Sequence, residues 1–266
     1  MARPWKPVPA LKATAAVHGA AALGTLAVPA AWPWALGAVA VNHAVLTLAG
    51  LLPRSTLLGP NLTRLPHAAA ARREVALTVD DGPDPDVTPR VLDLLDAAGI
   101  QASFFCIGWR ARTYPGLCRE IVARGHRVEN HSDSHSLVFS TFGPRRIEAE
   151  IAAAQATLAD ITGEAPRFFR APAGLRNPFL DPVLVALDLR LAAWTRRGYD
   201  TREARPRVVL GRLVRNLGAG DILLLHDGHA ARTPEGLPVV LAVLPPLLRM
   251  LDERGLKPVT LADALA

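Results

Sequence analysis

Glu74-Val75-Ala76-Leu77-Thr78-Val79-Asp80-Asp81-Gly82-Pro83 decides the fold of this 266-residue chain. Val75-Ala76-Leu77-Thr78-Val79 reads as a strand. It ends abruptly in two carboxylates and a Gly-Pro turn. Toward the C-terminus, strand and helix patterns alternate. Thr88-Pro89 opens a helix to Ala98, with Gly99 as its stop. Ala102 to Ile107 reads as a strand, Gly116 to Arg124 as a helix closed by Gly125, and His126 to Glu129 as a short strand. Arg145 to Ile161 carries Ile147, Ile151, Ala154 and Leu158 at helical spacing. Phe168-Phe169, Leu191 to Thr195, Ile222 to Leu225 and Pro258 to Thr260 read as further strands. Pro178 to Leu187, Val208 to Leu217 and Pro238 to Arg254 are the matching helices. Such alternation implies a parallel sheet with crossover helices. The expected class is α/β, a distorted (β/α) barrel of about seven strands. Asp81-Gly82-Pro83 stands where a dinucleotide-binding fold carries G-x-G-x-x-G, so that function is not expected.

Toward the N-terminus the composition shifts. Hydrophobic residues make up 50% of the chain, high for an ordinary soluble enzyme. Leu11 to Ala31 and Trp34 to Leu52 are apolar runs, separated by Trp32-Pro33-Trp34, aromatics suited to a bilayer interface. Each run is about 20 residues, the length of a membrane-crossing helix. A signal peptide would use Arg3, Lys6 and Lys12 as its basic start and the small residues near Val28-Pro29-Ala30 for cleavage. It leaves the second run unexplained, so an N-terminal hydrophobic helical hairpin is expected. Residues 1–66 are thus read as a membrane-associated segment with two candidate transmembrane helices and a linker, and 67–266 as the main domain. Arg3, Lys6 and Lys12 precede the first run, and Arg54, Arg64, Arg72 and Arg73 follow the second. The positive-inside tendency then puts both flanks, and the main domain, on the cytoplasmic face of the inner membrane.

The net charge is +6. Nucleic acid is not an expected partner, because arginines such as Arg196 and Arg197 are scattered near acids such as Asp200 and form no dense block among aromatics. A solvated surface or attraction to anionic lipid accounts for the charge. Cys106 and Cys118 fall in apolar runs and read as buried free thiols.

In parallel α/β barrels the chemistry collects where strands end. Asp80-Asp81 ends the first strand; His131-Ser132-Asp133-Ser134-His135 follows the third. His131 and His135, four apart, would share one face of a helical turn and can share one metal ion. Asp81 would supply a third ligand, leaving open positions on a divalent metal, with zinc the default. Adjacent residues leave a strand end in different directions, so Asp80 can face the activated water as a base. His226, at the end of Ile222 to Leu225, faces the barrel mouth and suits a general acid. Arg170 would keep Asp80 ionised, and Asp200 would orient a protonated His226.

These strings resemble the polysaccharide deacetylase family, the NodB homology domain of carbohydrate esterase family 4. Thr78-Val79-Asp80-Asp81-Gly82-Pro83 is similar to its Thr-Phe-Asp-Asp-Gly-Pro motif, and His131 to His135 to its His-Ser/Thr-x-x-His motif. Arg170-Ala171-Pro172-Ala173-Gly174 is similar to Arg-x-Pro-Tyr/Phe-Gly, Trp194 with Asp200 to the fourth motif, and Leu224-Leu225-His226 to the fifth. All occur in the family's order between Glu74 and about Thr260. The resemblance implies Asp80 as base, Asp81, His131 and His135 as metal ligands, and His226 as acid. It also implies that Arg170 tunes Asp80, that Asp200 supports His226, that Leu224 lines the acyl pocket, and that the Ala173 amide donates to the oxyanion. The implied activity is removal of an N-acetyl group from an amino sugar of a polysaccharide or lipid-linked glycan. A deformylase of a lipid-linked amino sugar is a variant, and a non-catalytic membrane-anchored glycan-binding module the reading of another class. Two departures stand out: Ala173 replaces the third motif's aromatic, and Thr201 replaces the tryptophan after the fourth-motif aspartate. Both remove walls that a long glycan would stack on.

Overall fold

A computed structural model describes residues 4–266; Arg3 of the basic start lies outside them. Two long helices come first, α1 (Pro9–Ala27) and α2 (Trp32–Leu51), followed by the short α3 (His67–Ala71). Then come β1 (Glu74–Asp80), α4 (Thr88–Ala97), β2 (Ser103–Cys106), α5 (Gly108–Thr113), α6 (Pro115–Ala123) and β3 (Arg127–Asn130). The chain continues through α7 (Pro144–Thr162), β4 (Phe168–Phe169), α8 (Leu180–Ala186), β5 (Arg190–Leu191) and β6 (Arg196–Arg197). It ends with α9 (Pro206–Val214), β7 (Ile222–His226), α10 (Val239–Glu253), β8 (Lys257–Val259) and α11 (Leu261–Ala264).

All ladders in the sheet are parallel, in the order β5-β4-β3-β2-β1-β7-β6. The eighth strand, β8, pairs with the lower half of β1. The seven-strand path curls into the distorted barrel that the alternation predicts. Its open seam, between β5 and β6, is bridged by the linker: Leu62 N donates to Leu191 O, Ala193 N to Leu62 O, and Leu65 N to Gly220 O, each at 2.9 Å.

Strand periodicity sorts the side chains. Val75, Leu77 and Val79 of β1, with Leu223 and Leu225 of β7, join the helices in the larger core. Ala76 of β1 and Ile222 and Leu224 of β7 face the barrel interior with Phe105 and Trp194. Asp80 and His226 continue that inner set and stand opposite each other in the β1–β7 register. Both cysteines are free and buried, as read.

The expected strand from Leu191 to Thr195 is instead two pieces, β5 and β6. Arg170 is the cause: its Nε and Nη2 donate to the carbonyls of Ala192 and Ala193, at 3.1 and 3.0 Å. Those carbonyls serve the arginine rather than a ladder.

α1 and α2 pack into a hairpin. No residue of α1 is buried, and in α2 only Leu46, Ala49 and Gly50 are. Polar groups meet in the seam, where Thr14 Oγ1 donates to Asn42 Oδ1 at 3.2 Å and the Nε2 atoms of His18 and His43 stand 3.2 Å apart. Of the two candidate spans, only Pro29–Leu51 is long and apolar enough by itself, with mean hydropathy 1.5. Lys12, His18 and Thr14 dilute α1. α2 meets the domain at Gly50, whose carbonyl accepts from Arg176 N at 3.1 Å. A Cβ there would stand 2.1 Å from the Arg176 carbonyl oxygen, so only glycine permits this approach.

Candidate active site

The strand ends β1, β3, β4 and β7 open into a pocket of about 440 Å³. Asp80, Asp81, His131, His135, Ala173, Leu224 and His226 line it. Arg170 and Asp200, the remaining expected site residues, lie buried behind Asp80 and His226.

Asp81 Oδ1 lies 3.2 Å from His131 Nε2 and 3.1 Å from His135 Nε2. One ligand atom from each of the three residues falls within 4.8 Å of the others. His131 Nδ1 is 2.8 Å from the Arg170 carbonyl oxygen, which fixes the ring and presents Nε2 to the site. A carboxylate and two imidazoles converging on one point, with the pocket open beside them, fit a single divalent cation. Burial pushes the Asp81 carboxyl up, but hydrogen bonds from His131 and His229 hold it well below the usual carboxylate range. Burial, then the neighbouring His131 charge, lowers His135 to about 4. At neutral pH Asp81 is therefore ionised and His135 neutral, the states a metal requires.

The expected helical turn under the two histidines is absent: residues 131–137 are irregular. Ser132 and His135 adopt left-handed backbone, with φ of 63° and 51°. Asn130 Oδ1 accepts from Ser132 N at 2.9 Å, and Ser132 Oγ from His135 N at 3.1 Å. A side-chain-tied loop thus does what spacing alone attributed to a helix. Asp81, Ala173 and His229 are also left-handed, at 73°, 55° and 56°. Each costs on the order of 1 kcal/mol, and such strain gathers at sites whose geometry the fold imposes.

Two buried pairs flank the ligands. Arg170 Nη1 donates to Asp80 Oδ1 at 2.5 Å and to Thr78 Oγ1 at 2.9 Å, while its guanidinium lies 4.0 Å from the centre of the Phe105 ring. With Nε, Nη1 and Nη2 all engaged, Arg170 is a fixed counter-charge for Asp80. Asp80 Oδ2 remains, 3.7 Å from His131 Nε2. Opposite, Asp200 Oδ1 lies 2.8 Å from His226 Nδ1, and Oδ2 accepts from His226 N at 2.8 Å. Burial lowers the His226 pKa, but the Asp200 charge and hydrogen bond outweigh it, giving about 9. His226 is therefore an imidazolium at neutral pH. In the turn Pro172–Gly174, the bonds are donated by Gly174 N and Leu175 N, which leaves the Ala173 N–H outside them.

Sequence reasoning gave no role to His229 or Asp227. His229 Nδ1 lies 3.2 Å from Asp81 Oδ2, so it steadies the ligand's second oxygen. Asp227 is buried, accepts from Thr88 Oγ1 at 2.5 Å, and is pushed up to about 7 by burial. The His226-Asp227-Gly228-His229 string was the available signal. Only the fold of the turn brings its last residue back over Asp81.

This architecture and this site define a class, the hydrolases of non-peptide carbon–nitrogen bonds built on a curled (β/α) barrel. The chain belongs to the polysaccharide deacetylase family, whose model matches residues 67–192. It is 32% identical over 193 residues to a peptidoglycan-N-acetylglucosamine deacetylase of Bacillus cereus, covering 72% of this chain and 87% of the relative. A chitooligosaccharide deacetylase of Azorhizobium caulinodans is 34% identical over 155 residues, covering 58% and 73%. Among solved structures, a family 4 carbohydrate esterase from Streptomyces lividans in complex with acetate superposes with a TM-score of 0.62 at 31% identity, covering 70% and 91%.

Proposed function

We propose that this chain is a metal-dependent N-deacetylase of an N-acetylated amino sugar carried on a lipid-linked glycan. The convergence of Asp81, His131 and His135 between two separately charged partners, Asp80 and His226, carries this reading. The three ligands would hold a divalent cation, most simply zinc, which lowers the pKa of water and polarises the acyl carbonyl. Asp80, held in place by Arg170, takes a proton as water attacks the carbonyl carbon. The Ala173 N–H donates to the oxyanion, a contact typically worth about 3 kcal/mol. His226 protonates the leaving nitrogen; the C–N bond breaks, and acetate and a free amine remain. Leu224 and Trp194 wall the space for the methyl group. A non-catalytic glycan-binding module would have no use for the strained ligand loop or the two buried ion pairs.

The relatives named above support an N-acetylglucosamine-type sugar. Ala173 and Thr201, where the family carries aromatics, argue against a long stacked polymer. The hairpin argues for a membrane-held substrate: α2 is about 30 Å long, the thickness of a hydrocarbon core, and its apolar face is uncovered. With both flanks basic, the domain sits on the cytoplasmic face of the inner membrane.

The test is acetate release from an N-acetylated glucosamine oligomer by purified protein, before and after chelation and with zinc restored. Release that depends on the metal is expected; release indifferent to chelation would overturn the metal-dependent reading. A reporter fused after Ala266 tests the orientation, and a signal from the far side of the membrane would reverse it.

A further inference from the structure

A second cavity, of about 640 Å³, runs alongside the active-site pocket and shares Trp194 and Arg197 with it. Its other walls are Leu52, Pro53, Arg54 and Ser55, the segment directly after α2, and residues of β6 and α9. Four arginines line it, Arg54, Arg196, Arg197 and Arg212, and no acid does. Arg196 is held by Asp221 at 2.8 Å, and Arg212 stands 3.6 Å from Glu203. Arg54 and Arg197 have no carboxylate partner among the described residues. Arg197 stacks against aromatics, 5.2 Å from the Trp194 ring and 4.9 Å from the Tyr199 ring, and its Nε is a buried donor without an acceptor. A buried donor of this kind, on a cation with no counter-charge, is unfavourable unless a ligand supplies an acceptor.

The groove joins the two halves of the molecule. Gly174, at the turn that offers the Ala173 amide, is left-handed at φ +74°, and a Cβ there would stand 2.8 Å from Pro53 and 2.5 Å from Trp194. The post-helix segment therefore packs directly on the active-site rim. Leu52, 60% exposed, marks where the apolar helix surface gives way to the groove.

We propose that this groove is an anion subsite that holds the phosphate linking an N-acylated amino sugar to a membrane lipid. Arg197 and Arg54 bind the phosphate oxygens, the sugar reaches past Trp194 to the pocket, and the lipid chain leaves beside Leu52 into the bilayer around α2. A phosphate matches guanidinium donors in geometry as well as charge. This assignment rests on the deacetylase reading for the sugar, but the groove can be tested apart from catalysis.

The probes are a polyprenyl phosphate in detergent micelles and glucosamine 1-phosphate in water, each titrated against the full chain and against Arg54→Gln, Arg197→Gln and Arg197→Lys. Losing one charge-assisted contact weakens binding by about 10- to 100-fold. That loss is expected for both glutamine variants with the polyprenyl phosphate, with partial recovery in Arg197→Lys. Unchanged polyprenyl phosphate binding in both glutamine variants would overturn the subsite, whether or not the enzyme turns over. Equal affinity for glucosamine 1-phosphate would overturn the lipid assignment in favour of a soluble sugar phosphate. A parallel assay compares kcat/KM for a phosphate-linked N-acetyl sugar with that for an uncharged oligomer. A fall in their ratio in Arg54→Gln supports the subsite, and a constant ratio counts against it. Absence of turnover on both substrates would refute the deacetylase reading, while the titration still decides the groove.

Discussion

The hairpin and the barrel treat polarity in opposite ways. In the barrel the core's apolar side chains are covered, and the charged groups flanking the candidate metal ligands are paired, Asp80 with Arg170 and Asp200 with His226. In the hairpin the apolar side chains are bare, Leu36 at 60% and Val41 at 65% exposure, and the polar groups turn inward, Thr14 to Asn42 and His18 to His43. One region covers its apolar surface and the other leaves it open. The difference teaches that paired polarity stands in two settings here: sunk charge in the barrel, and a half-buried seam between two helices in the hairpin.

The largest effect expected from breaking this contrast is catalytic. Asp80→Asn removes the base while Arg170 keeps a neutral partner of the same shape, so kcat should fall by about 10²- to 10⁴-fold with the fold intact. Steady-state acetate release together with circular dichroism checks this, and retained turnover would remove Asp80 from the role. Next comes Arg170→Met, which leaves Asp80 buried without its counter-charge. A loss of about 3–5 kcal/mol in unfolding free energy is expected by denaturant titration; a change under 1 kcal/mol would mean that Asp80 is solvated in the folded chain.

In the hairpin, Val41→Asp sets a charge at the middle of α2. Its insertion should become less favourable by about 3 kcal/mol, read as protein moving from the membrane pellet to the supernatant. Undiminished pelleting would place that face against protein instead. Asp200→Asn has a directional effect. Asp200 raises the His226 pKa, and the imidazolium is lost as pH rises through it. Without that carboxylate the pKa falls, so the alkaline limb of kcat/KM should move to lower pH; an unmoved limb would show that another group sets it. The smallest effect belongs to Thr14→Val, which removes one seam hydrogen bond worth about 0.6 kcal/mol and should lower the Tm in detergent only slightly.

The barrel was legible from the alternation of strand and helix patterns, and three of the strand ends carry chemistry: Asp80-Asp81 and His226 close apolar runs, and His131 and His135 follow the short strand before them. The candidate site followed from the same strand ends, since alternation along β1 and β7 puts Asp80 and His226 on the inner face. What stayed hidden depends on contacts between distant segments. The break between β5 and β6 comes from Arg170 capturing two carbonyls some twenty residues away. The loop under His131 and His135 depends on Asn130 and Ser132 side chains that a four-residue spacing cannot reveal. Leu62 and Leu65 look like linker residues until the barrel seam they bridge exists. The reach of His229 to Asp81 needs the turn that follows β7.

The central claim is that Asp81, His131 and His135 together hold one divalent cation. Calorimetric titration of zinc into the metal-stripped full chain tests it most directly, beside Asp81→Ala and Asp80→Asn. The account predicts one ion per chain in the parent and in Asp80→Asn, and at least a tenfold weaker site in Asp81→Ala. Equal zinc affinity in the parent and in Asp81→Ala, or no binding in the parent, would contradict it.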